Sequence, residues 1–196
     1  IDKSSIIILG VTPNVGSTIL RKLKFSKNKK IISLISTINL NKLKKLTKNK
    51  NIVRATPLPP IEIKKGPIVI CPPNKGAKNL FKYLGEVVEI KNEKQSNKFW
   101  ATSSIMAAYY EILNVSSNWL IKKGINKTIA NNYISELFLS LSQDAVNKRS
   151  QGFKKLVADS QTPKGLNMQV LNELKRGKFY TKFIKAMDNI NKRVSS

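Results

Sequence analysis

The chain has 196 residues, 41% of them hydrophobic, which is enough for a sizeable core; one cysteine and no histidine exclude an internal disulfide and the usual zinc or haem sites. Its net charge of +25, from 36 basic and 11 acidic residues, would ordinarily point to nucleic acid or an anionic membrane surface. Only five of the basic residues are arginine, however, the lysines are scattered along the whole chain, and a chain rich in Lys, Asn and Ile is what AT-rich codons produce, so no specific nucleic-acid partner is expected.

Taken in order, residues 6–11 (Ile6-Ile7-Ile8-Leu9-Gly10-Val11) form an apolar, β-branched run, predicted as a fully buried strand. Thr12-Pro13-Asn14 ends it, and 15–23 reads as a helix with Ile19, Leu20 and Leu23 on one side. Strands are predicted at 31–35, 51–55, 67–71 and 86–90, with helices around Leu40 to Leu46 and at 77–84. Such alternation predicts an α/β layer with a largely parallel sheet, whose ligands bind at the carboxyl ends of the strands. Those ends are Val11-Thr12-Pro13, Ser36-Thr37 and the stiff loop Thr56-Pro57-Leu58-Pro59-Pro60.

Near Gln95 the pattern changes, and no further strand is predicted. Residues 98–123 read as one long apolar helix carrying Trp100, Met106, Tyr109, Leu113 and Leu120, ended by Gly124. A second helix follows at 128–142, and others open at Phe153, Asn167 and Lys178. The division expected is therefore 1–94 as an α/β domain and 95–196 as a helical one. Trp100 and Trp119 read as core or interface anchors. A helix apolar on so many faces is expected to bury surface against a second subunit. No run approaches the ~20 apolar residues of a membrane span and no signal-peptide pattern opens the chain, so a cytoplasmic protein is expected.

One turn in the helical half has the makings of an anion site. In Thr162-Pro163-Lys164-Gly165-Leu166-Asn167-Met168-Gln169, Thr162 suits an N-cap and Pro163 the first helical position. A helix start offers free N–H groups and the positive end of its dipole to a carboxylate or phosphate, and Gly165 lets the ligand come close. The competing reading is a plain cap between two helices. By contrast, Gly10 and Gly16 do not form the dinucleotide fingerprint G-x-G-x-x-G, and the sheet starts as if in its middle, which suggests that earlier strands belong to it.

The order of the pieces resembles the pyrroline-5-carboxylate reductase family. Residues 7–13 look like the family's I-L-A-V-K-P, and Val53-Arg54-Ala55-Thr56-Pro57-Leu58-Pro59 looks like V-R-x-M-P-N-T. Ser103 to Tyr109 stands in the place of S-G-S-G-P-A-Y, and Thr162 to Asn167 in that of S-P-G-G-T-T. The resemblance implies a partial Rossmann-type parallel sheet followed by a helical dimerisation domain, with the family's phosphate cradle lying before residue 1. It implies hydride transfer from NADPH or NADH to the C=N of a small cyclic imino acid, as in proline biosynthesis. The substrate site would be Thr162, Gly165, Leu166 (through its backbone) and Asn167, with Asn167 the side chain nearest the reacting nitrogen and the one catalytic candidate. Val11, Thr12, Pro13, Ser36, Thr56, Pro57 and Leu58 would lie along the cofactor. A homodimer or larger homo-oligomer, and a small imino or keto acid, would be the partners; no metal is implied. Leu58 in place of Asn, Ile105 and Met106 in place of Ser and Gly, and Lys164, Leu166 and Asn167 in place of Gly, Thr and Thr make the site more apolar than the family pattern. They leave open a relative that binds a nucleotide or small acid without chemistry.

Overall fold

The computed structural model describes residues 3–195, the Pro13 side chain excepted. Five strands form one sheet in sequence order: β1 (Ile6–Leu9), β2 (Lys30–Ser33), β3 (Ile52–Thr56), β4 (Pro67–Cys71) and β5 (Glu86–Glu89). Helix α1 (Pro13–Lys22) crosses from β1 to β2, and α2 (Leu40–Thr47) from β2 to β3, so these three strands run parallel. The connection after β3 carries Pro57, Pro59 and Pro60 and only a 3-10 turn, Pro59–Ile63. It is too short for a crossover, and β4 pairs with β3 antiparallel, Thr56 opposite Val69. Helix α3 (Lys75–Phe81) then leads to β5, parallel to β4. The carboxyl ends of β1, β2 and β3 therefore share one edge of the sheet, which β4 and β5 leave from the other side.

Side-chain alternation along β2 sends Ile31 to a cluster with Leu9, Leu20, Ile35 and Leu43, and Ile32 to another with Val53, Ile68, Ile70 and Phe81. Both faces of the central strands are thus covered, which is why they are continuously apolar. The expectation fails at β1. Among the described residues β1 pairs with β2 alone, and Ile8 is 51% exposed. Gly16 lets α1 approach the loop after β2: a Cβ there would meet Ile35 Cδ1 at 3.0 Å and Ile38 Cδ1 at 3.3 Å.

The single helix expected over 98–123 is two. Helix α4 (Glu93–Ser103) starts earlier, its cap Asn92 accepting from Lys94 N–H (2.8 Å), and α5 (Met106–Lys122) follows. At the junction the Ser104 hydroxyl donates to the Ala101 carbonyl (2.6 Å), competing with the helical ladder. The chain divides there into two compact units: one up to Ser104 together with the stretch from Met187, the other Ile105–Ala186.

The second unit is helical. Gly124, at φ +90°, ends α5, and Asn126 caps α6 (Lys127–Asn147) by accepting from Thr128 N–H (2.9 Å). The Ser117 hydroxyl donates to Asn131 Oδ1 (2.6 Å) between α5 and α6, beside the buried Ala130 and Ile134. Helices α7 (Phe153–Asp159), α8 (Leu166–Arg176) and the first part of α9 (Phe179–Ser195) complete it. Among the described residues no helix is long and apolar enough to cross a membrane.

Candidate functional site

The parallel edge of the sheet carries a cavity of about 380 Å³. Its walls are the loop after β2 (Ser36, Thr37), the end of β3 and its exit (Thr56, Pro57, Leu58), the last turns of α4 (Trp100, Ser103, Ser104) and the end of α9 (Ile190, Arg193, Val194). All of these belong to the first unit. Four of the expected cofactor positions, Ser36, Thr56, Pro57 and Leu58, are thus brought together. Val11 instead packs against the core cluster of Leu9, Leu20 and Ile35, and neither it nor Thr12 lines the cavity. Thr12 precedes α1 and its carbonyl accepts from Gly16 N–H (2.9 Å), while the Pro13 side chain lies outside the described residues.

Behind the walls stands a residue that sequence reading passed over. Arg54, on β3, is 1% exposed. Its Nη1 donates to Glu93 Oε1 (2.6 Å) and Asn97 Oδ1 (3.1 Å), and its Nη2 to the Ser36 carbonyl (2.6 Å). The guanidinium also lies 5.6 Å from the centroid of the Trp100 ring. The Glu93 carboxylate accepts a further bond from Leu40 N–H (2.8 Å), at the N-terminus of α2. Since Glu93 opens α4 as well, both helix dipoles favour its negative charge. The signal available in the sequence was an arginine inside an otherwise apolar strand, which is costly unless paired. Its partners lie 18, 39 and 43 residues away, so spacing could not supply them.

Two lining residues keep a buried polar atom without a partner, Thr56 Oγ1 and Trp100 Nε1. Beside Arg54 in the sheet sits Cys71, fully buried. Burial pushes its thiol up from the ordinary value, Glu93 adds to that, and Arg54 and a hydrogen bond with Ser96 work against it.

The Thr162 turn lies in the second unit. It differs from the expected capping geometry: α8 begins at Leu166, and the cap is Gly165, at φ −75°, not Thr162. Gly165 N–H donates to the Thr162 carbonyl (2.8 Å), closing a turn with Pro163 second and Lys164 third at φ +61°. Proline there sets the turn, not the first helical residue. The first helical bond runs from Gln169 N–H to the Gly165 carbonyl, so the N–H groups of Leu166, Asn167 and Met168 precede the ladder. The free N–H set expected at this turn therefore exists, one turn later than read. Asn167 donates its side-chain amide to the Ser160 carbonyl (2.9 Å), which leaves its Oδ1 as the free polar atom. A Cβ on Gly165 would run into Thr162 Oγ1, so the glycine is required by its own turn.

Comparison with known proteins gives a consistent answer. The family model described as pyrroline-5-carboxylate reductase dimerisation matches residues 93–196. No curated protein sequence matches the chain significantly. Similar solved structures include 1-pyrroline-5-carboxylate reductase from Streptococcus pyogenes, at 22% identity and TM-score 0.88, over 99% of this chain and 77% of that one. Pyrroline carboxylate reductase from Plasmodium falciparum, solved with NADP bound, aligns over 97% of this chain and 76% of that one at 23% identity and TM-score 0.86. A pyrroline-5-carboxylate reductase from Coxiella burnetii aligns over 98% and 76% at 22% identity and TM-score 0.78. At these identities the likeness is one of fold.

Proposed function

We propose, from the premise that this chain belongs to the pyrroline-5-carboxylate reductase family, that it reduces the C=N bond of a small cyclic imino acid with a reduced nicotinamide nucleotide. The observation that carries this reading is the cavity at the parallel edge. Its walls at Ser36 and at Thr56 to Leu58 are the segments that the resemblance assigns to the cofactor. Its volume falls in the range of small-molecule pockets, ~300–1,000 Å³, with room for the nicotinamide end of a nucleotide. The residues fit that group: a flat apolar rim from Pro57, Leu58 and Trp100, and the hydroxyls of Ser36, Thr37, Ser103 and Ser104 at its border. When bound, reduced nicotinamide would supply the hydride. The part played by the protein is positioning, since two reactants held in contact need no further entropy loss to react.

On this reading Thr162, Gly165, Leu166 and Asn167 hold the substrate carboxylate, through N–H groups at the start of α8 and the dipole behind them. Asn167 offers Oδ1 as acceptor to the N–H of the protonated imine, while its amide is tied back to Ser160. The chain would act as a homodimer through its helical unit, where Trp119 is 60% and Tyr133 59% exposed along an apolar groove with Val115, Leu120 and Val170.

The test is direct. The intact protein is mixed with 1-pyrroline-5-carboxylate and NADPH or NADH, and loss of the reduced nucleotide is followed together with formation of proline. Turnover with one nucleotide and the cyclic imino acid is expected. Nucleotide binding with no turnover on any imino or keto acid would favour the second reading, a binding protein without chemistry. That reading draws on Leu58 and Leu166, apolar where the family pattern is polar, and on the tied Asn167 amide. For the carboxylate site, Gly165→Val is a poor probe because it also displaces Thr162. Gly165→Ala with Thr162→Ala removes that collision and should raise KM for the imino acid while leaving nucleotide affinity unchanged.

A further inference from the structure

We infer that Arg54 and Glu93 are positioning residues that set the shape of the cavity from behind, by tying three of its walls to one buried guanidinium. This rests on the reading of the cavity as a nucleotide site, and deepens it. The first wall is fixed by the bond from Nη2 to the Ser36 carbonyl, which holds the loop after β2. The second is β3 itself, on which Arg54 stands two residues before Thr56. The third is α4, bound through Glu93 and Asn97 and through the Trp100 ring over the guanidinium. Glu93 extends the tie to the start of α2 through Leu40 N–H.

Arg54 is not among the residues lining the cavity, so it does not touch a ligand there. Its planar fork reaches acceptors on both sides at once, a geometry that a lysine ammonium, a single point of charge, does not reproduce. Nothing in core packing alone asks for a guanidinium at this place. A buried ion pair is commonly no more stable than an apolar pair of similar volume. What the apolar pair lacks is the directional hold on the Ser36 carbonyl and the Trp100 ring.

That contrast supplies the test, in the intact protein with Trp119→Phe as background so that, of the two tryptophans in residues 1–196, Trp100 alone reports. Arg54→Met leaves Glu93 without its partner and should lower the Tm. Arg54→Met with Glu93→Gln removes both charges and still leaves an acceptor for Leu40 N–H, so the Tm should return toward the parent. Positioning requires that the cavity stay impaired in this double variant: NADPH affinity, read by Trp100 quenching, at least tenfold weaker, and acrylamide quenching of Trp100 at least doubled. Arg54→Lys keeps a charge for Glu93 and the fold, and should show the same two changes. Restored NADPH affinity and parental acrylamide quenching in the double variant would overturn the inference. A parent that binds NADH and not NADPH is titrated with NADH instead. If the parent binds neither, the proposed function fails, and acrylamide quenching alone decides: unchanged values in the double variant and in Arg54→Lys overturn the positioning role.

Discussion

Arg54 ties β3 to the loop after β2 and to α4 through three side-chain hydrogen bonds. Removing its guanidinium leaves Glu93 partly enclosed and the Ser36 carbonyl without a donor. Losses of this kind cost about 3–5 kcal/mol, so Arg54→Met should lower the denaturant midpoint with no change in slope. Cys71, paired beside it in the sheet, offers a chemical readout of the same environment. Its thiol is buried and held above the ordinary value, chiefly by that burial. Native protein should therefore react with iodoacetamide far more slowly at neutral pH than denatured protein does. The folded thiol binds its proton more tightly than the unfolded one, so its contribution to stability is complete below the unfolded value of about 8.5 and declines as pH rises through the folded one. Unfolding followed from pH 8 to 10 should show stability falling, and Cys71→Ser should flatten that slope. The sequence presented Arg54 within a quoted motif, yet its meaning was hidden. A charged residue in an apolar strand declares a need for partners without naming them, and Ser36, Glu93 and Asn97 reach it only once β2, β3 and α4 are assembled.

Among the elements, the strands were the most legible. Runs such as residues 31–35 and 67–71 are apolar on both faces because the sheet is covered on both sides, and their positions held to within two residues. β1 was misjudged in burial, because an apolar run carries no record of how many neighbours will cover it. The junction after α4 was missed for another reason. Ser103, Ser104 and Ile105 continue a helical period, and the interruption is one hydroxyl competing for a carbonyl. The helix read as opening at Asn167 begins at Leu166, but its cap was misplaced by three residues, at Thr162 instead of Gly165, because Thr-Pro reads equally well as a cap or as the first half of a turn. The worth of a cap can be measured at α6. Asn126 accepts from Thr128 N–H at the head of α6, and Asn126→Ala should cost about 1 kcal/mol. Gly124 sits in open space at φ +90°, so Gly124→Ala meets no neighbour but strains the backbone, for roughly 1 kcal/mol or more. Thermal unfolding of both variants checks the two values, and a wild-type Tm for Gly124→Ala would mean the turn rearranges.

For the molecule as a whole, the apolar faces left on the helical unit are the feature to test. Val115, Trp119, Tyr133 and Val170 edge a groove of about 730 Å³ within that unit. The family model over residues 93–196 is one of dimerisation, and a stable dimer buries upward of about 2,000 Å². Trp119→Lys with Tyr133→Lys places two charges in that face: the parent should sediment as a dimer and the double variant as monomers at micromolar concentration. A parent that sediments as a folded monomer would remove the assignment.

The first unit is built from two separate stretches, residues up to Ser104 and those from Met187 on. Asn97, which holds Arg54 through Oδ1, extends its amide toward the Ser195 hydroxyl at 3.5 Å, and Ile190, Arg193 and Val194 wall the cavity. On the ribosome this has a consequence in time. The sheet can form early, since each strand pairs with its neighbour in sequence, yet the last wall arrives only after the whole helical unit has been synthesised. A nascent chain stalled near residue 180 should therefore resist protease over its strands while failing to retain any ligand of the cavity. Binding competence would be acquired in one step, once residues 187–195 have left the ribosome.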